Sequence, residues 1–136
     1  LGAHGGYTNG AIRCLFPELG VLVGYAATAV VRSARPAEAP RFTSRKPYWD
    51  HVGNHPAPRV LVAQDLDRPP GGAYWGEVNA TIHQALGCAG VITDGAVRDL
   101  EEVRRLGFHL FAAEVCVSHG FAHLEGYGEP VTVFGM

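Results

Sequence analysis

Apolar positions in the middle of the chain recur with two different periods. Residues 59–65, Arg-Val-Leu-Val-Ala-Gln-Asp, form a compact apolar run of the length of a buried strand. Residues 76–86 carry Val78, Ile82, Ala85 and Leu86 at i, i+4, i+7 and i+8, which predicts a helix whose core-facing stripe is those four residues, stopped by Gly87. Residues 89–93 read as a second buried strand and Asp94-Gly95 as a turn. Val97, Leu100, Val103 and Leu106 then give a second amphipathic helix, ended by Gly107, and residues 108–112 a third strand. Strand–helix–strand–helix–strand predicts an α/β fold with right-handed crossovers and at least some parallel pairing.

The flanks are less regular. Residues 1–10 are a glycine-rich loop, and residues 11–16 a short apolar run ended by Pro17. Residues 21–31, rich in β-branched and small apolar side chains, read as one strand or two. Pro36, Pro40, Pro47, Pro56 and Pro58 make residues 33–58 a long irregular segment, a length usually kept for function or mobility. Residues 68–72, Arg-Pro-Pro-Gly-Gly, predict a turn, and residues 130–134 a closing strand. No linker or internal repeat divides the chain. With Leu1 at its start and a strand running to Gly135-Met136, residues 1–136 read as a single domain trimmed at both ends.

Composition narrows the class. The chain is 47% hydrophobic and 18% charged, too apolar for a disordered tail, and has no apolar run long enough for a membrane span. A net charge of −2 with 11 Lys and Arg residues argues against nucleic-acid and anionic-membrane surfaces. Cys14, Cys88 and Cys116 are odd in number and have no metal-like spacing, which favours a reducing, cytoplasmic setting.

Two segments could carry chemistry. Arg98 and Asp99 open the helix that follows strand 89–93, and ligands of open α/β sheets bind beyond the carboxyl ends of strands. An Arg there can grip a carboxylate and an Asp can hold a hard cation, with Glu102 one turn further on the same face. The same residues also suit a plain helix start, with an acid favoured by the dipole and a solvated Arg. Gly76-Glu77-Val78-Asn79 opens the earlier helix, where free backbone N–H groups form an anion site; an acid in a first turn is equally ordinary. His119 and His123 have the spacing of a zinc pair on a helix, without an evident third ligand. Lys46, the only lysine, lies in the proline-rich segment and is a poor Schiff-base nucleophile, so an aldolase built on this chain would use a metal. Phosphate-loop, dinucleotide and nucleophile-elbow motifs are absent.

These segments resemble the RraA-like family, which includes 4-hydroxy-4-methyl-2-oxoglutarate aldolases and the regulator of ribonuclease E activity A. Gly10-Ala11-Ile12-Arg13 with Leu15-Phe16-Pro17, then residues 22–28 and 60–65, resemble the family's early turn and strands. Gly76-Glu77, twenty residues, Arg98-Asp99, two residues and Glu102 resemble its lyase signature. The resemblance implies a swivelling β/β/α-type layered domain with a mixed sheet. It further implies homotrimers or hexamers, and flanking segments, an N-terminal helix and a C-terminal strand, that residues 1–136 lack. By it, Asp99 would be the one direct ligand of Mg²⁺ or Mn²⁺. Arg98 and the amides of Gly76, Glu77, Val78 and Asn79 would bind a 2-keto acid. Glu77 would orient a metal-bound water, and Glu102 would stand behind them. An acid of a neighbouring subunit would complete the site. The activity implied is cleavage of 4-hydroxy-2-keto acids to pyruvate, with oxaloacetate decarboxylation beside it. The alternative is a non-catalytic ring that binds a ribonuclease or another protein. A zinc hydrolase on His119 and His123 and a methyltransferase are weaker readings.

Overall fold

The computed structural model describes residues 6–38 and 44–136. Among these residues seven strands form one mixed sheet: β1 (Arg13–Cys14), β2 (Tyr25–Arg32), β3 (Arg59–Asp65), β4 (Ala73–Trp75), β5 (Cys88–Val97), β6 (His109–Val115) and β7 (His123–Tyr127). The order is β1-β6-β5-β3-β2-β7, with β4 paired to the far end of β5. The central pairs are parallel, and the edge pairs β1/β6 and β2/β7 are antiparallel. The expected α/β class with a mixed sheet is therefore present.

Helices α1 (Lys46–Gly53), α2 (Glu77–Ala85) and α3 (Leu100–Leu106) contribute Val52, Ala80 and Val103 to one core, together with Leu61, Val91 and Leu110 of the central strands. Apolar burial of this kind is the main driving force for the layer. Arg59 donates to the carbonyls of Gly53 and Leu86, 2.6 Å each, placing one cation on the carboxyl ends of both α1 and α2. The C-terminal segment lies against β2 and β3: Thr132 N–H donates to Gln64 Oε1 at 3.2 Å, and Thr28 Oγ1 to the carbonyl of Glu129 at 2.8 Å. No helix among the described residues is long and apolar enough to cross a membrane.

Several sequence expectations need correction. Asp94-Gly95 is not a turn: β5 runs through it to Val97, so Val97 belongs to the strand and not to the following helix. The strand tolerates the pair through a register shift between Thr93 and Ala96, a bulge held by Asp94 Oδ1 accepting the Asp65 N–H at 2.8 Å. Gly95 lies so close to Asp65 that a Cβ would stand 2.6 Å from its Oδ2. Helix α2 exists, with Gly87 at φ +84° behind it, but it buries Ala80 and His83 while Val78 is 64% exposed. Tyr48 and Trp75 pack on His83, and of the four periodic residues Leu86 packs against the core and Ile82 is half-buried, while Val78 and Ala85 are exposed.

Residues 33–58 are not wholly irregular, since α1 occupies Lys46–Gly53; residues 39–43 of that segment and 1–5 of the first loop lie outside the described residues. No strand forms at 130–134. The antiparallel edge is β7 instead, and the chain closes in a turn in which Val133 and Met136 exchange backbone hydrogen bonds of 2.9 and 3.0 Å. Strands β4 and β7, three and five residues long, carry too short a pattern to be read from the sequence.

Candidate functional site

Strands β4, β5 and β6 are parallel and end side by side: Trp75 is in register with Val97, and Val97 with Val115. Beyond those ends the chain turns into the two helices. The Arg98 N–H donates to the Trp75 carbonyl at 2.9 Å, and the Cys116 N–H to the Val97 carbonyl at 3.0 Å. This anchoring brings Gly76-Glu77 and Arg98-Asp99 together across a gap of twenty residues.

The contact is close. A Cβ on Gly76 would overlap Asp99 Oδ2 and stand 2.9 Å from Arg98 Cγ, so any other residue there must push those two side chains aside. The Glu77 N–H donates to Asp99 Oδ2 at 3.0 Å. Asp99 sits at the N-cap of α3 in the left-handed region (φ +56°, ψ +46°), yet makes no side-chain cap there. Its carboxylate instead serves α2, whose own N-cap, Gly76, has no side chain to offer. The carboxylate thus lies at the N-terminus of α2, where the dipole of that helix also favours it. A non-glycine residue at positive φ costs energy and is held by its surroundings, a pattern concentrated at functional sites.

Arg98 reaches Asp99 with Nη1, 3.2 Å from Oδ1 and 3.1 Å from Oδ2. Its Nε is buried without a partner, and the side chain is 27% exposed. The guanidinium therefore keeps donors for a guest anion. In the first turn of α2 the Glu77 N–H is spent on Asp99, while those of Val78 and Asn79 have no i−4 helical acceptor. The Asn79 side chain is not free, since its Nδ2 donates to the Tyr74 carbonyl at 2.6 Å and ties the turn to β4. Glu77 is exposed at the rim. Glu102, half-buried one turn along α3, makes no hydrogen bond or ion pair with Arg98 or Asp99.

Sequence reasoning passed over two groups nearby. His83, fully buried on α2, bonds the Asn79 carbonyl through Nδ1 (2.6 Å) and the Tyr48 hydroxyl through Nε2 (2.7 Å). A carbonyl can only accept, so Nδ1 carries the proton and Nε2 accepts from Tyr48. Burial pulls the His83 pKa down to about 4 and pushes that of Tyr48 well above its usual value. Asp65, 2% exposed at the end of β3, is pushed up to about 6, first by burial and further by the charges of Asp67 and Asp94. Arg68 pairs with Asp94 beside it. Nothing in the spacing of these residues marks them, because the strands that unite them are distant in sequence.

A hard cation is compatible with this donor set in one form only. Among the described residues no three His, Cys, Asp or Glu side chains are grouped as metal ligands. Asp99, its side chain 29% exposed, has carboxylate lone pairs beyond those used by Glu77 and Arg98. That suits Mg²⁺ or Mn²⁺ held by one carboxylate and waters, not a three-ligand zinc. His119 and His123 do not share a helix: His119 lies in a turn, its Nδ1 against the Gly120 carbonyl (2.7 Å), and His123 opens β7, bonded to the Phe121 carbonyl and Glu125. Lys46 is exposed and paired with Asp50, as unsuited to a Schiff base as its context suggested.

Over residues 1–136 the chain matches the family described as RraA-like: Aldolase/RraA. It belongs to the RraA-like family. Solved structures resemble this RraA-like chain at about one residue in five. An uncharacterised protein from Pseudomonas syringae pv. tomato aligns with a TM-score of 0.68 and 20% identity over 95% of this chain, which spans 57% of that protein. Streptomyces coelicolor RraAS2, described as an unusual member of the RNase ES inhibitor RraA family, gives 0.59 and 21% over 89% of this chain and 67% of its own. The RNA-processing inhibitor RraA from Thermus thermophilus gives 0.52 and 21% over 93% and 71%. Likeness at these identities is one of fold. No curated protein matches the chain. The RraA-like family contains aldolases and inhibitors of ribonuclease E, so membership alone leaves catalysis open.

Proposed function

We propose that this RraA-like chain is a divalent-metal-dependent lyase that cleaves 4-hydroxy-2-keto acids, of the 4-hydroxy-4-methyl-2-oxoglutarate type, to pyruvate, with oxaloacetate decarboxylation as a companion activity. One observation carries the reading: Gly76 lies flush against Asp99 and Arg98, with Asp99 capping α2 from a left-handed position. The two halves of the signature thereby form a single anion- and cation-binding corner.

In this reading the free donors of Arg98 grip the substrate carboxylate, and the N–H groups of Val78 and Asn79 complete its cradle. Glu77, exposed at the mouth, handles the proton of the C4 hydroxyl. The C3–C4 bond breaks as that oxygen becomes a carbonyl, and the electron pair passes into the pyruvate enolate. Protonation at C3 then gives pyruvate. Arg98 faces the enolate's negative charge throughout. A Mg²⁺ or Mn²⁺ ion at Asp99 would supply Lewis acidity to the keto group. Glu102 would stand behind this corner as a source of negative potential.

The test is pyruvate release by the purified protein with MgCl₂, from oxaloacetate and from 4-hydroxy-2-keto acids. Chelation with EDTA is expected to end it. Arg98→Ala and Asp99→Ala are each expected to lower kcat/KM by roughly 100-fold or more. Unchanged rates in both variants refute the assignment. A folded protein that turns over no keto acid yet retains a ribonuclease in a pull-down supports the non-catalytic reading instead.

A further inference from the structure

One hydrogen-bond chain joins the interior of the molecule to Asp99. The Tyr48 hydroxyl on α1 donates to His83 Nε2 at 2.7 Å, and His83 Nδ1–H donates to the Asn79 carbonyl at 2.6 Å. That carbonyl shares a peptide group with the Ala80 N–H, which donates to the Gly76 carbonyl at 2.9 Å. The Gly76 carbonyl shares a peptide group with the Glu77 N–H, which donates to Asp99 Oδ2 at 3.0 Å. Every link points the same way, from a hydroxyl on one helix to a carboxylate at the N-cap of another.

Direction and burial strengthen this chain. A peptide that accepts at its oxygen donates more strongly from its nitrogen, so links aligned head to tail reinforce one another, and a low local dielectric adds to each. Tyr48, His83 and Ala80 are all fully buried. Bonding from i to i−4 makes an α-helix three parallel lines of such peptides. In α2 the line fed by His83 ends on Asp99, whereas the N–H groups of Val78 and Asn79 end the other two lines. The reinforcement therefore reaches the carboxylate and bypasses the anion cradle. It also falls on the bond that orients the acid: Arg98 Nη1 lies 3.2 Å from Oδ1 and 3.1 Å from Oδ2, so the Glu77 N–H is what distinguishes the two oxygens.

We infer, resting on the lyase reading for what Asp99 holds, that Tyr48 and His83 are positioning residues of the metal site. Acting through the peptides of α2, they fix the Asp99 carboxylate on the Glu77 N–H and so raise its affinity for a divalent cation.

The experiment uses the metal-free protein and Mn²⁺ alone. Tyr48→Phe keeps the ring and removes the first donor. By NMR, the amide protons of Ala80 and Glu77 are expected to move upfield in this variant, while those of Val78 and Asn79, on the other lines, hold. By titration calorimetry, the Mn²⁺ dissociation constant is expected to rise about threefold in Tyr48→Phe and about tenfold in His83→Phe. Thr81→Gly, at an exposed position in the middle of α2, is the control: it is expected to lower the melting temperature and leave Mn²⁺ binding unchanged. Equal amide shifts across residues 77–80, or a Mn²⁺ constant that Tyr48→Phe moves no more than Thr81→Gly does, overturns the inference and leaves the lyase reading to its pyruvate assay. Wild-type protein that binds no Mn²⁺ and releases no pyruvate overturns the lyase reading, and the amide shifts then still decide whether Tyr48 and His83 position Asp99.

Discussion

At the scale of single residues, Gly76 and Asp99 define the corner, and each makes a prediction. Gly76 has an extended backbone (φ −154°), so its requirement is space rather than conformation. Gly76→Ala forces Asp99 and Arg98 aside and is expected to cost about 1–3 kcal/mol, read as a lowered thermal midpoint. Asp99 combines a left-handed backbone with a cap on another helix. Asp99→Gly removes a backbone penalty of roughly 1 kcal/mol while losing a cap worth about as much. Its melting temperature is therefore expected to stay near wild type, and Asp99→Ala to melt lower. If both variants lose pyruvate release, the loss in Asp99→Gly is not a loss of fold. The signature was legible in the sequence because residue type and spacing survive without coordinates. What Asp99 does with its side chain was not, since the cap crosses from one helix to another.

Helix α2 is the element on which the site depends. Its existence and its glycine stop were readable from periodicity, but its buried side only in part, through Ile82 and Leu86. The apolar stripe Val78, Ile82, Ala85 and Leu86 competes with an aromatic cluster that the sequence scatters: Tyr48 on α1, Trp75 on β4 and His83. The cluster wins because Tyr48 and His83 satisfy each other while buried, which neither could do apart. This makes α2 a rigid bridge between α1 and the corner. Tyr48→Phe and His83→Phe are each expected to cost about 1–3 kcal/mol, since each leaves a buried polar atom unpaired. The double variant is expected to cost less than their sum in urea denaturation. Strict additivity would mean that the hydrogen bond contributes nothing to the tie.

For the whole molecule, two buried groups set opposing pH dependences. Burial lowers His83 from 6.5 to about 4. Between those values the unfolded chain takes a proton that the fold excludes. The contribution of His83 is thus complete above pH 6.5 and is lost as pH falls toward 4. Burial raises Asp65 from 3.8 to about 6. Between those values the folded protein keeps a proton that the unfolded chain releases, so this group stabilises increasingly as pH falls from 6 toward 3.8. Each is worth up to about 3 kcal/mol. Wild-type stability is therefore expected to vary little from about pH 4 to 6.5. Asp65→Asn should expose a fall toward acid and His83→Gln a rise, both followed by the urea midpoint across that range. Identical pH profiles in all three proteins would show that neither group differs between folded and unfolded states.

The sequence by itself determined the α/β class and the order of the central strands and helices along the chain. Both follow from local periodicity and stop residues. Only the tertiary structure decided that Asp94-Gly95 is a bulge within β5, that the edge strand is 123–127 rather than 130–134, and that Asp99 caps α2. Each of those outcomes turns on a partner supplied from elsewhere in the chain: Asp65 for the bulge, β2 for the edge, Glu77 for the cap. A hydrogen bond between distant segments leaves no periodic trace in either one, so it enters only when the sheet brings them together.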